Sequence, residues 1–306
     1  MSPTSSDAST DWVTDSLMAR LRAAPAAERE RFLEFRRAAP RRRIVLGTTA
    51  WTFLDSAPHE VGGAMPVLAL AGATCVAEAG YRTIEHLAAR RRVLAPDYPP
   101  SDTLSGLADG IARVLDAIAV PAVHVIGGSY GGLVAQVFAR RHPSRAKSLV
   151  LSHTFLPDPD SARRLRRLAR VLSWVPWALL RRVFEARLGK LFPAGDRPEL
   201  AVPKALFAEA MQTYLTKAHV VGMMRQLADP ALFAQLGPGR VFSGPVLLLM
   251  AEDDPATPRE TREALRAAYP QAQSRLFSGA GHLTAVLQQA QYLAAIDAFL
   301  EEHGRD

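Results

Sequence analysis

The sequence predicts an α/β fold: a mostly parallel, eight-stranded sheet flanked by helices, with a helical lid inserted after the sixth strand. Three observations predict it. Short apolar runs alternate with segments of helical periodicity along most of the chain. A glycine-rich turn carrying Ser129 stands between one such run and the helical segment after it. Asp254 and His282, both suited to proton handling, each follow a later run directly. A β-α-β order of this kind gives parallel strands whose two faces are both covered by helices.

The runs predict strands at 44–46, 51–54, 66–71, 93–95, 123–126, 148–152, 245–250 and 274–278. Residues 11–38 carry Trp12, Leu17, Leu21, Phe32 and Phe35 at roughly helical spacing, interrupted by Pro25 and stopped by Pro40. Residues 1–10 are Ser/Thr-rich and are expected to fray. Further helices are expected at 76–90, 103–119, 131–142, 259–269 and 284–302. In the second of these Leu107, Ile111, Leu115 and Ile118 form one face. Residues 155–238 contain no convincing strand and read as the lid. The chain thus divides into an N-terminal tail and helix (1–39), a first part of the core (40–154), the lid (155–238) and a second part of the core (239–306).

Composition bounds the function. The 306 residues are 48% apolar and 22% charged, enough to bury a full core. The single cysteine, Cys75, excludes an internal disulfide framework and a thiolate cage for zinc. No stretch approaches the roughly 20 apolar residues of a membrane helix, and the first 30 residues hold three aspartates and no apolar core of a secretory signal. A soluble cytoplasmic protein is expected. The net charge is +7, with only four lysines among 37 basic residues. It reflects an arginine-rich composition or an anionic partner, such as a phosphorylated carrier or a membrane surface. No nucleic-acid-binding signature accompanies it.

The chemistry is expected at Gly127-Gly128-Ser129-Tyr130-Gly131, a G-x-S-x-G pattern with a strand before it and a helix after it. Such a turn strains the serine backbone, leaves room only for glycine nearby and presents the hydroxyl at the sheet edge beside a helix N-terminus. A serine hydroxyl needs a base, and the base a carboxylate. Among eight histidines, His282 in Ser278-Gly279-Ala280-Gly281-His282 follows the last strand in a small-residue turn. His124 lies within a strand, His86 and His142 on helix surfaces, and His153 after a strand end, where it would line a pocket. For the carboxylate, Asp254 is favoured because Pro255 fixes the turn after it; Asp253, Glu252, Asp158 and Asp160 are alternatives. The backbone N–H of Tyr130 and that of Ala73, with Thr74 second, would form the oxyanion hole. Thr74, His153, Trp174 and Trp177 are candidate pocket residues. With Phe184, Phe192, Met211, Met223 and Met224 the two tryptophans suggest an apolar site. In the lid, Leu165, Leu168 and Leu172 fall on one helix face, with Arg163, Arg167 and Arg170 away from it.

The order Ser129, Asp254, His282, each after a strand, resembles the α/β-hydrolase superfamily over residues 40–306. Phe35-Arg36 with Pro40, Ala95-Pro96-Asp97-Tyr98-Pro99, the Gly-x-Ser-x-Gly-Gly turn and Tyr269-Pro270 resemble maspardin and its bacterial relatives. Ala71-Gly72 departs from the His-Gly that many members carry there. The resemblance implies a serine hydrolase acting on an ester, thioester or related acyl bond through an acyl-enzyme. It implies no metal and no organic cofactor. The large apolar residues of the lid point to a small-molecule substrate with a medium or large apolar acyl or aromatic group, and its arginines to an anionic carrier as a further partner. Nucleic acid is not expected. Maspardin itself is regarded as a binding or scaffold protein whose acid and base are not preserved, so a non-catalytic role is the alternative. A lyase, cyclase or acyltransferase using the same three residues is another. The serine argues against dehalogenase or epoxide-hydrolase chemistry, which uses aspartate at that position.

Overall fold

The structure is a computed structural model that describes residues 14–56, 64–237 and 242–304. Eight strands form one sheet: β1 (Arg41–Leu46), β2 (Thr49–Asp55), β3 (Val67–Leu70), β4 (Val93–Pro96), β5 (Val123–Gly128), β6 (Ala146–Ser152), β7 (Val246–Ala251) and β8 (Gln273–Phe277). Their order is β1-β2-β4-β3-β5-β6-β7-β8. β2 is antiparallel to both neighbours, and all pairs from β4 to β8 are parallel.

The central strands are buried on both faces because alternate side chains feed two separate cores. Val125, Leu149, Leu151 and Leu248 point to one. Ile126, Val150, Leu247 and Leu249 point to the other. The first core is closed by α4 (Leu104–Ala117) and α5 (Tyr130–Arg141), through Leu107, Ile111, Leu133 and Phe138. The second is closed by α1 (Asp15–Leu21), α2 (Ala26–Ala38), α3 (Tyr81–Ala88) and, near the C-terminus, residues Ile296 and Phe299. Thr103 caps α4, its hydroxyl accepting from the Gly106 N–H at 3.0 Å.

Several expected helices are broken. The N-terminal helix is two, because Pro25 has no N–H to continue a helix and instead starts α2 with φ −50°. Trp12 and residues 1–10 lie outside the described residues. The expected helix at 76–90 opens as a 3₁₀ turn, Ala77–Gly80, before α3. Between β6 and β7 come α6 (Pro159–Trp174), α7 (Trp177–Gly189), α8 (Ala201–Glu209), α9 (Lys217–Leu227) and α10 (Pro230–Leu236). After β7 come α11 (Arg259–Ala268) and, past β8, α12 (Thr284–Leu287) and α13 (Gln289–His303), which Gln288 separates at φ −128°, ψ 43°.

The inserted helices are held to the core by polar contacts around the loop after β4. His219 Nε2 and the Tyr214 hydroxyl both meet the Tyr98 carbonyl, at 3.1 and 2.9 Å. Gln226 donates to the Ser101 carbonyl at 2.6 Å and accepts from the Tyr130 hydroxyl. The inward face of α6 includes Ala162, Leu165, Ala169 and Leu172. Leu168, expected on that face, is 38% exposed: six residues from Ala162 it is rotated by more than 100° from that residue's direction.

Candidate active site

β3, β5 and β6 end level with one another: Leu70 pairs with Gly127, and Gly128 with Ser152. The residues that follow these three ends therefore share one edge of the sheet, where open α/β sheets bind their ligands. Ser129 sits there at φ 53°, ψ −123°, a strained backbone for a non-glycine residue. Its N–H bonds the Ser152 carbonyl at 2.8 Å. The turn closes only because its neighbours lack side chains. A Cβ on Gly127 would lie 2.3 Å from the Gly131 carbonyl oxygen, and one on Gly131 would lie 2.4 Å from that of Leu70. Tyr130 opens α5, so its N–H belongs to the first turn, whose donors have no intrahelical acceptor.

His282 follows β8 in a 3₁₀ turn. Its Nδ1 lies 3.0 and 2.9 Å from the two carboxylate oxygens of Asp254, whose residue is 3% exposed. Burial acts to raise the Asp254 carboxyl. Hydrogen bonds with His282, Thr257 and the Ala256 N–H outweigh it and bring the pKa down to about 2. An ionised carboxylate requires Nδ1 to carry the proton, which leaves Nε2 as the basic nitrogen. Asp253 binds the backbone of the same loop: its oxygens accept from the Gly279 and Gly281 N–H groups, at 3.1 and 3.0 Å. One aspartate orients the imidazole, and the preceding one holds the loop that carries it.

His153, at φ 49°, is buried beside His282. The Thr284 hydroxyl donates to the Gly281 carbonyl at 3.0 Å, so it accepts from His153 Nε2–H at 2.9 Å. His153 Nδ1 then accepts from the Ser152 hydroxyl at 2.8 Å, and that hydroxyl is also hydrogen-bonded to Tyr292.

A cavity of about 280 Å³ opens on this edge. Ser129, His153, His282, Ala73 and Thr74 all line it, with Asp254 behind His282. Among the described residues Ser129 Oγ and His282 Nε2 are not hydrogen-bonded; they share the cavity. The Thr74 hydroxyl is buried, with no partner among the described residues. The rest of the lining is largely apolar, from Ile126, Ile84, Leu188, Leu191, Phe192 and Phe207 among others, and among the described residues it contains no Lys, Arg, Asp or Glu.

Trp174 and Trp177 are not part of this wall. Trp174 ends α6 and is 88% exposed; Trp177 starts α7 and packs against the first core. Phe184, Met211 and Met223 are also core residues, and Met224 packs against that core, so only Phe192 of the large residues singled out between β6 and β7 faces the cavity. Helical spacing shows which side chains share a face, not what covers that face. The walls from Thr83, Ala285 and Tyr292 carry no sequence signal, because they are ordinary helix residues whose side of the helix only the assembled fold turns to the cavity. His124 is buried in β5 with Nδ1 2.8 Å from Ser148 Oγ. His86 and His142 are partly buried and pair with Asp297 and Asp109. Cys75 is buried, which pushes its thiol far above the usual range and leaves it inert.

The family profile of the alpha/beta hydrolase fold matches residues 66–287. The chain belongs to this family. It is similar to a poly(3-hydroxyalkanoate) depolymerase of Ectopseudomonas oleovorans, 30% identical over 64% of this chain and 67% of that protein. It is also similar to maspardin of Homo sapiens, 24% identical over 84% and 82%. An esterase from Thermogutta terrifontis shares the fold with a TM-score of 0.69, 23% identity and coverage of 87% of this chain and all of that one.

Proposed function

We propose that the protein is a serine hydrolase that cleaves uncharged, largely apolar esters or thioesters through an acyl-enzyme. The observation that carries this reading is the pairing of His282 Nδ1 with both oxygens of buried Asp254, in the cavity that Ser129 enters from a strained turn.

In this reading Ser129 Oγ attacks the acyl carbonyl carbon while His282 Nε2 takes its proton. That transfer requires Oγ and Nε2 to close to about 2.6–3.2 Å. The Tyr130 and Ala73 amides hold the oxyanion. Collapse breaks the bond to the alcohol or thiol, which leaves with the proton from His282. Water then adds to the acyl-enzyme by the same route, releasing the acid and restoring Ser129. Asp254 stays ionised throughout and stabilises the imidazolium. The Thr74 hydroxyl, which has no partner among the described residues, offers the substrate one directed hydrogen bond. The depolymerase to which the chain is similar is named for a polyester, which supports an ester bond as the target.

The test is labelling by a fluorophosphonate probe alongside turnover of p-nitrophenyl esters of increasing acyl length. Labelling that disappears in Ser129→Ala, with turnover lost in Ser129→Ala and His282→Ala, is expected. No labelling of the wild type would leave a binding protein instead, and equal turnover in all three proteins would overturn the roles of Ser129 and His282.

A further inference from the structure

The positive charge of this chain is concentrated in one place. Helices α6 and α7 contain eight arginines against two acidic residues, Asp160 and Glu185, which accounts for six of the seven net charges. The same two helices carry five of the seven large apolar side chains exposed among the described residues: Leu168 at 38%, Val171 at 61%, Trp174 at 88%, Leu179 at 55% and Val183 at 58%. The other two, Val45 and Leu276, lie on the edge strands.

Internal packing does not account for this exposed set. α6 already meets the protein through Ala162 and Ala169, and α7 through Leu180 and Phe184. The surplus lies on outward faces, where apolar tips alternate with guanidinium groups. That mixture suits a surface that is anionic outside and apolar a few ångströms beneath. Arginine stems lie flat with their charges at the phosphates, and an indole prefers the depth between headgroup and chain. A second copy of this chain is a poor occupant, because a two-fold contact would set arginines against arginines. A nucleic acid would take the guanidinium groups but leave Val171, Leu179 and Val183 without apolar contact.

We propose that α6 and α7 dock the protein on an anionic phospholipid bilayer. α7 then runs from the bilayer towards the cavity, which Leu188 near its C-terminal end and Leu191 and Phe192 just beyond it line. The docking stands independently of any role for Ser129.

The experiment is co-sedimentation of the full chain with vesicles of phosphatidylcholine, with and without about one third phosphatidylglycerol. Binding to the anionic vesicles that falls as salt is raised, and much weaker binding to pure phosphatidylcholine, is expected. Replacing Arg164, Arg167 and Arg170 together by Ser lowers partitioning by about a hundredfold, at the usual contribution of a basic residue near an anionic surface. Trp174→Ala with Val171→Ser lowers it by about tenfold. Replacing Arg22, Arg37 and Arg43 by Ser removes the same charge from exposed positions elsewhere and leaves partitioning within about twofold. All three variants alter exposed side chains, and circular dichroism confirms their folding. Absence of binding to anionic vesicles, or an equal loss in the control triple variant, overturns the proposal. So does a dimer in light scattering that Trp174→Ala dissociates, or RNA binding lost in the α6 triple variant.

Discussion

His153 and His282 meet edge to face, with ring centroids 5.6 Å apart and planes at 80°, yet their surroundings make them chemically unlike. His282 is oriented by a carboxylate. His153 has a neutral hydroxyl at each ring nitrogen, Ser152 at Nδ1 and Thr284 at Nε2. Burial, reinforced by the neighbouring His282, brings its pKa down to about 4. A second cation so close would compete with an imidazolium at His282, and keeping His153 neutral removes that competition.

This gives a pH signature. The folded-state pKa of His153 lies below its unfolded value of about 6.5, so between these values the unfolded chain binds the extra proton. Stability from this residue is complete above about pH 6.5 and is lost as pH falls towards 4, by about 3 kcal/mol in total. His153→Gln should be less stable than the wild type at pH 7, by about 1–3 kcal/mol from the disturbed hydrogen bonds. The difference in urea midpoint between the two proteins should shrink as pH falls from 7 to 4.5. An unchanged difference would show that His153 is not held neutral.

The two adjacent aspartates should separate by substitution. Asp254→Asn removes the charge at His282 Nδ1 and with it the control of the tautomer, and kcat on a p-nitrophenyl ester should fall about 10³–10⁴-fold. Asp253→Asn keeps an acceptor for one of the two loop amides, and kcat should fall by only about tenfold. Equal losses would mean that the carboxylate partner of the base has been misassigned.

That separation also marks what the sequence could convey. The strands at β5, β6 and β7 and the turn at Ser129 are legible because their signals are local: continuous apolar runs, and glycine where a Cβ would strike backbone. The choice between Asp253 and Asp254 is less so, because both carboxylates bond to the loop after β8, one to its amides and one to the imidazole, and only the path of that loop decides which of them meets His282. Trp174 misled for a related reason: its place at the end of α6 says nothing about whether another element covers it. The cavity walls come together through topology, as Thr83 on α3, Phe207 on α8 and Ala285 on α12 show.

The Ser129 turn should tolerate no added methyl group at Gly131. A Cβ there lies 2.4 and 2.5 Å from the Leu70 and Ala71 carbonyl oxygens, and backbone cannot swing aside as a flexible side chain does. Gly131→Ala should lower stability by about 2–4 kcal/mol and abolish probe labelling, because relief would shift the loop that carries Ala73. Gly189→Ala, where a Cβ meets nothing within 4 Å, is the contrast. It removes a poor helix former and should leave Tm unchanged or raise it slightly. Matching losses of Tm in the two variants would remove the steric argument.

The cavity predicts which acyl groups are accepted. Its volume of about 280 Å³ and the absence of a cationic side chain from its lining among the described residues favour a neutral acyl chain of moderate length. Ala285 and Val286 lie on its wall. Ala285→Leu shortens the available space and should lower kcat/KM for long acyl esters by about tenfold while sparing acetyl and butyryl esters. Val286→Arg supplies a cation and should raise the rate for an ester with a terminal carboxylate relative to its methyl-ended analogue, reversing the wild-type preference. The ratio of kcat/KM across a chain-length series decides the matter. A fall of equal size at every length in Ala285→Leu would place the acyl group somewhere other than this cavity.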